Sequence, residues 1–326
     1  MKALLKKVAL GASLAVLSLN LVPTVLADKI QINPMFTYGE SLNQSQYQET
    51  KQALGVQDGA KEIQVNINEL NGLLQDNYPY RQVYSSAYIT PAKNNGDVTV
   101  EIVTPKTITA ITPLQYENAA LTAGAVDVDI KVASAVPVDG SGALAGVYKA
   151  FQDAGYQLND QAVSVAQDEL TTTSKINEEN QGKEGFSDEA MNAAIAEIKT
   201  EIQKAKDENN GQIDSQQIQV IVNNIINNYN LNEVISEENK QSIINLMQQF
   251  SQIELTQEQK DAINQFGQDL LKNGDQIIQN AKSAWDNADK EQLAQDAQSI
   301  WDQIVAFVKS FFSNSEEAPA SADQQN

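Results

Sequence analysis

Periodicity changes once along this 326-residue chain, and that change limits the fold more than any single motif. From about Ile30 to Tyr156, period-two apolar segments are interleaved with segments spaced for helices; from about Asn159 onward only helical spacing remains. In the first part a polar helix carrying Tyr47 and Leu54 ends near Gly55, and Ile63, Val65 and Ile67 then alternate with polar residues as a strand. Tyr84 to Ile89 and Val98 to Val103 read as two neighbouring antiparallel strands joined through Pro91 and the turn residues Asn94-Asn95-Gly96-Asp97. Thr112-Pro113 opens a helix that Gly124 stops, Val126 to Val132 is a strand, and Gly140-Ser141-Gly142 leads into a helix reaching Phe151. The second part is a series of amphipathic helices rich in Gln and Asn, with Ser187, Ser215, Ser236 and Thr256 at expected N-caps and Thr256 with Gln259 as a capping box.

The expected fold is therefore α+β, an α/β N-terminal domain with a mixed sheet over residues 28–158, followed by an all-α domain or arm over residues 159–312. Residues 313–326 read as a disordered polar tail. Apolar residues make up 41% of the chain and charged ones 20%, enough to build real cores without cross-links.

The chain has no cysteine and no histidine, which removes disulfides, thiolate nucleophiles, Ser-His-Asp arrangements, imidazole acid/base chemistry and most zinc, copper and haem ligation. Carboxylates, hydroxyls, amides, Lys and Arg remain. Asp and Glu outnumber Lys and Arg 43 to 22, so the net charge of −21 repels phosphate backbones, and nucleic acid is not an expected partner.

Residues 1–27 have the anatomy of a signal peptide: basic Lys2, Lys6 and Lys7, an apolar stretch from Val8 to Leu21, a break at Pro23, and Val25-Leu26-Ala27 before cleavage after Ala27. No Cys stands at the cleavage point, so lipid attachment there is excluded. The expected address is extracellular or the cell envelope.

The strongest-looking motif is Gly140-Ser141-Gly142-Ala143-Leu144-Ala145-Gly146, where backbone N–H groups could hold an anion. Its spacing misses the dinucleotide fingerprint by one, no Lys-Ser or Lys-Thr follows, and Asp139 would repel the anion, so it reads as a tight turn. Lys206 to Gln217 resembles a calcium loop with Gly211 at the turn, but Lys and Gln at its ends remove the two key carboxylates and leave an interhelical loop. The acidic pairs Glu178-Glu179, Glu237-Glu238 and Glu316-Glu317 read as solvated faces or helix-dipole partners. Tyr78, Tyr80, Tyr84 and Tyr88 with Arg81 either pack on the core or line a binding face. The last helix, about Lys290 to Phe312, is apolar over more than half its circumference; either it is buried, or it lies in a membrane interface with Trp301, Phe307, Phe311 and Phe312 inserted. No catalytic, cofactor-binding or metal-ligating residue is assigned, and no cofactor is expected.

Four segments carry a resemblance: Thr37-Tyr38-Gly39-Glu40-Ser41-Leu42, Ala120-Leu121-Thr122-Ala123-Gly124-Ala125, Ser141-Gly142-Ala143-Leu144-Ala145-Gly146, and Asp168-Glu169-Leu170-Thr171-Thr172-Thr173-Ser174. In that order, and over most of the chain after the leader, they resemble the YpuA-like exported proteins of Gram-positive bacteria, the domain-of-unknown-function 1002 family. The resemblance implies an exported, envelope-associated or secreted protein and brings no catalytic motif. The expected function is a non-enzymatic binding or structural protein whose partner is a cell-envelope component or another protein. The alternatives are a carboxylate-dependent extracellular hydrolase and a monotopic membrane-surface protein held by the last helix.

Overall fold

A mixed five-stranded sheet, ordered β2-β1-β3-β5-β4, organises the first half of the chain. Its strands are β1 (Met35–Gly39), β2 (Lys61–Val65), β3 (Ser86–Pro91), β4 (Val98–Ile102) and β5 (Val128–Ala133). The computed structural model describes residues 32–74, 80–94, 96–156 and 158–273. The expected leader, Tyr78, Glu316-Glu317, the helix expected over about 290–312 and the expected polar tail lie outside the described residues. The α+β class with a helical second part stands as read from periodicity.

Two local readings are corrected. The strands β3 and β4 are not neighbours: β3 pairs antiparallel with β1 and β5, and β4 pairs parallel with β5. The turn residues expected to close a hairpin instead deliver β4 to the far side of β5. The Gly96 N–H donates to the Asp127 carboxylate, and the Asp97 carbonyl accepts from Val128 N–H at 3.0 Å. Ile67 does not extend the strand but opens helix α2 (Ile67–Leu74), because Asn66 accepts from the N–H groups of Asn68 and Glu69 while Glu69 accepts from Asn66 N–H.

Strand alternation sorts the sheet into two faces. Phe36, Tyr88 and Ala133 point to one face, where helix α1 (Gln44–Leu54) covers them with Tyr47 and Leu54, and Val56 just beyond the helix packs beside them. Toward β4 that same face is polar, with Thr99 donating to Asp129 at 2.6 Å and Lys131 paired to Glu101 at 3.4 Å. The opposite face carries Ile63, Val65, Ala87, Ile89, Val98, Val100, Ile130 and Val132, all buried. Helices α3 (Pro113–Ala123) and α4 (Gly142–Asp153) pack on it.

The helical second half lies on α3. Helices α5 (Asp160–Asn180) and α6 (Asp188–Glu208) contact it directly, and α7 (Ser215–Asn228), α8 (Glu237–Phe250) and α9 (Gln257–Asn273) pack around them. Ser187 and Ser236 cap α6 and α8, and Thr256 with Gln259 forms a capping box before α9. The α7 cap is Asp214 rather than Ser215: its carboxylate accepts from the N–H groups of Gln216 and Gln217, both at 2.8 Å. A carboxylate also complements the helix dipole, so Asp takes the position from the neighbouring Ser. One apolar cluster runs from Ile32 to Ile263 and includes residues of both halves.

Both sheet edges are met by a charged side chain. In β2 the backbone of Gln64 points away from β1, and its carbonyl accepts from Lys149 Nζ at 3.0 Å. In β4 the backbone of Val100 points away from β5, and its N–H donates to Glu117 Oε1 at 2.8 Å. Such occupied edges oppose pairing with other chains.

Candidate functional site

The glycine motif is a turn whose anion position is already filled. Gly140 adopts φ 111°, which favours glycine, and the Asp139 carboxylate accepts from both the N–H and the hydroxyl of Ser141 at 3.1 Å. Tyr80 and Ser141 hydroxyls lie 3.1 Å apart, so this tyrosine closes over the start of α4. Tyr88 is buried in β3, Tyr84 is partly buried and Arg81 is exposed; among the described members Tyr80 packs on one apolar cluster and Tyr88 belongs to the other, so these two do not share a face.

The calcium-like segment is an interhelical loop. The Lys206 ammonium is turned inward and donates to the carbonyls of Ser251 at 2.7 Å and Ile253 at 3.0 Å, while Asp214 is spent on the α7 cap. Of the acidic pairs, Glu179 accepts from Asn239 at 2.8 Å, and Glu237 and Glu238 stand in the first turn of α8 facing Lys240 and Lys175. Among the described residues, neither Glu178-Glu179 nor Glu237-Glu238 lines the cleft between α6 and α9 or the one at the start of β4.

Sequence reasoning missed a sealed ionic cluster between the helical layers. Lys199 of α6 donates to Glu169 Oε1 at 2.8 Å, Thr122 Oγ1 at 3.0 Å and the Asn118 carbonyl at 3.2 Å, which accounts for all three ammonium protons. Thr122 in turn donates to Glu169 Oε2 at 2.6 Å. The side chains of Lys199 and Glu169 are 0% and 1% exposed, so nothing from solvent reaches them. Burial holds the Lys199 ammonium below the usual lysine range, with Glu169 opposing that shift. A signal was present: Lys199 falls in register with Ile195, Ile198 and Ile202 on the buried stripe of α6, a place for a charge only if a partner meets it. Thr122 and Glu169 belong to two of the segments that carry the family resemblance, so part of that resemblance records packing.

Two clefts stand out among the described residues. The larger, about 380 Å³, lies between α6 and α9 and mixes both signs of charge, with Lys260 held by both Asp207 oxygens at 2.7 and 2.9 Å. The second, about 260 Å³, lies at the start of β4, against Val98 and Thr99, and is walled by α3 and α9. Leu121, Ala262, Phe266 and Leu270 give it apolar surface, and among the described residues its charged lining is Asp97, Glu117 and Asp269, with no Lys or Arg. Gln265 of α9 donates to Asp97 at 2.8 Å and closes one end. Burial pushes the Glu117 carboxyl up to about 7, the bond from Val100 N–H opposing it, so this group carries its proton part of the time near neutrality. Among the described residues no three Asp or Glu side chains gather as a metal-holding group, and no helix is long and apolar enough to cross a membrane.

The groove beside β4 is the candidate site. It joins an acidic lining, an apolar wall and a sheet edge, and Glu117 stands where the three meet. Its sequence signal was weak, because Glu117 is one acidic residue on a helix and its partner Val100 lies on a different element.

No solved structure matches the chain. It is similar to the uncharacterized protein YpuA of Bacillus subtilis (strain 168), 31% identical over 206 residues that span 61% of this chain and 68% of the relative. The family described as protein of unknown function (DUF1002) matches residues 38–268, and the chain belongs to that family.

Proposed function

We propose that this chain is an exported protein of the cell envelope or medium that works by binding rather than by catalysis, and that the groove beside β4 receives a cationic partner. The carrying observation is the groove's composition among the described residues: three carboxyls, no cation, and apolar surface from Phe266 and Leu270 on one wall. The net charge of −21 strengthens the same preference at longer range. The leader with its Ala27 cleavage point supports export, and nucleic acid is disfavoured as a partner by the same charge.

Fractionation of the native host into cytoplasm, medium, wall and membrane tests this reading, with the unaltered chain compared to an Asp97→Asn/Glu117→Gln/Asp269→Asn variant. Export predicts a mature protein beginning at Asp28, and groove binding predicts that the variant shifts from the envelope to the medium. Unprocessed protein in the cytoplasm would overturn export, and identical partitioning of the two forms would overturn the groove.

A second reading, a carboxylate-dependent hydrolase of an extracellular polymer, draws on one observation: Glu117 is a carboxyl held near neutrality in a cleft it shares with Asp97 and Asp269. Release of new reducing ends from wall polymer, abolished by Glu117→Gln, is its test. Membrane-surface attachment through residues 290–312 is tested in the same fractionation by truncation before Lys290.

A further inference from the structure

Strand β4 is an edge with more free backbone than its charged guard covers. Its bonds to β5 run through Asp97, Thr99, Glu101 and Val103, as the Asp97 carbonyl to Val128 N–H and the Val103 N–H to Val132 carbonyl contacts show. The backbone groups of Val98, Val100 and Ile102 therefore face outward. Val100 N–H is taken by Glu117. Among the described residues, the outward N–H groups of Val98 and Ile102 and the three outward carbonyls have no bonding partner. The opposite edge differs in what borders it: β2 carries Lys61, paired to Asp153, and Glu62, paired to Lys51, and no cleft runs along it among the described clefts. At the start of β4, against Val98 and Thr99, lies the groove, with apolar surface from Leu121 of α3 and Phe266 and Leu270 of α9.

We propose that β4 binds an extended peptide bearing lysine or arginine, which adds as a sixth strand along Val98, Val100 and Ile102 and takes the place of the Glu117 carboxylate on Val100 N–H. The inference rests on the groove reading above and names the partner's chemistry. Main-chain hydrogen bonds to the outward groups supply the strand register, and apolar side chains enter between β4 and α9. The alternating cationic side chains fall on the other face of the added strand, where Glu101 stands exposed, and the carboxyls of Asp97, Asp269 and the released Glu117 add to the field that attracts them. An acidic peptide of equal length is rejected by the same groups. Glu117 thus serves two ends: it keeps the empty edge from pairing with another sheet, and it becomes a counter-charge once a basic strand has displaced it.

The test uses the full chain and three synthetic hexapeptides: alternating valine and lysine, the same peptide N-methylated at every second amide, and alternating valine and glutamate. The valine-lysine peptide is expected to bind, to slow amide exchange at Val98 and Ile102 about tenfold or more, and to lose about tenfold in affinity on N-methylation, the loss expected for one or two main-chain hydrogen bonds. The glutamate peptide is expected not to bind. Equal affinity of the methylated and unmethylated peptides would overturn strand addition while leaving the acidic groove in place. Failure of both lysine peptides would overturn the groove reading and strand addition together. Amides of Val98 and Ile102 that already exchange slowly in the free protein would show the edge to be occupied, and would also overturn the proposal.

Discussion

Lys199 and Glu169 form an ion pair 2.8 Å long in which neither side chain reaches water, and the two residues come from helices α6 and α5 that both pack on α3. Removing one partner leaves a buried charge without its counter-ion. Lys199→Met is expected to destabilise the protein by about 3–5 kcal/mol, whereas the double change Lys199→Met/Glu169→Leu is expected to recover most of that loss. Urea unfolding of the two single variants and the double variant measures the coupling. Additive effects would mean that the pair does not act as a unit.

Gly39 ends β1 where the chain before β3 crosses closest to it. A Cβ at this position would lie 2.0 Å from the Val83 carbonyl oxygen, a backbone atom that cannot swing aside. Gly39→Ala is expected to cost on the order of 2–3 kcal/mol, as forced overpacking does. At Gly55, φ is 66° and a Cβ would meet nothing within 4 Å, so Gly55→Ala carries only the left-handed backbone penalty, about 1 kcal/mol. Thermal melts of the two variants should separate a steric clash from a conformational cost.

Stability should fall between about pH 5 and pH 8. Burial raises Glu117 from the ordinary 4.5 to about 7, and burial raises Asp188 from 3.8 to about 6. Both groups hold a proton in the folded chain over a window in which the unfolded chain has lost it. Their contribution is fully present below the unfolded values and is lost as pH rises through the folded ones. For Glu117 this amounts to on the order of 3 kcal/mol. Glu62 and Glu69 are shifted downward, Glu62 chiefly by Lys51; at Glu69 burial is the largest single influence and raises it, but the Asn66 N–H and Lys149 together outweigh it, so their contribution is lost only under more acidic conditions. Glu117→Gln should flatten the fall between pH 5 and 8, and an unchanged profile would mean that Glu117 ionises normally.

The α7 cap distinguishes two adjacent residues. Asp214→Ala is expected to cost about 1 kcal/mol and Ser215→Ala a few tenths at most, because only the Asp214 side chain meets the orphan N–H groups. Equal losses would return the cap to Ser215.

The contrast between elements that could and could not be read follows the range of the interactions. Helix α3 was legible at both ends because Thr112, Pro113 and Gly124 act within a few residues of the backbone they terminate. Ile67 was misread because its alternation with Ile63 and Val65 is a pattern of three, too short to outweigh the box made by Asn66 and Glu69. The hairpin between β3 and β4 was misread because a turn signal states that the chain bends, not which strand it meets.

Local chemistry in the sequence determined the α+β class, most caps, the turn nature of the glycine motif, and the exclusion of thiol and imidazole chemistry. These depend on residue type and on spacing within a few positions. Only the tertiary structure decided that β5 lies between β3 and β4, that Lys199 meets Glu169 across 30 residues, and that Glu117 reaches Val100 across 17. Each is a contact between elements whose separation along the chain has no bearing on distance in the fold. The energy that selects them comes from burying apolar faces together, a property of the whole arrangement rather than of any one segment.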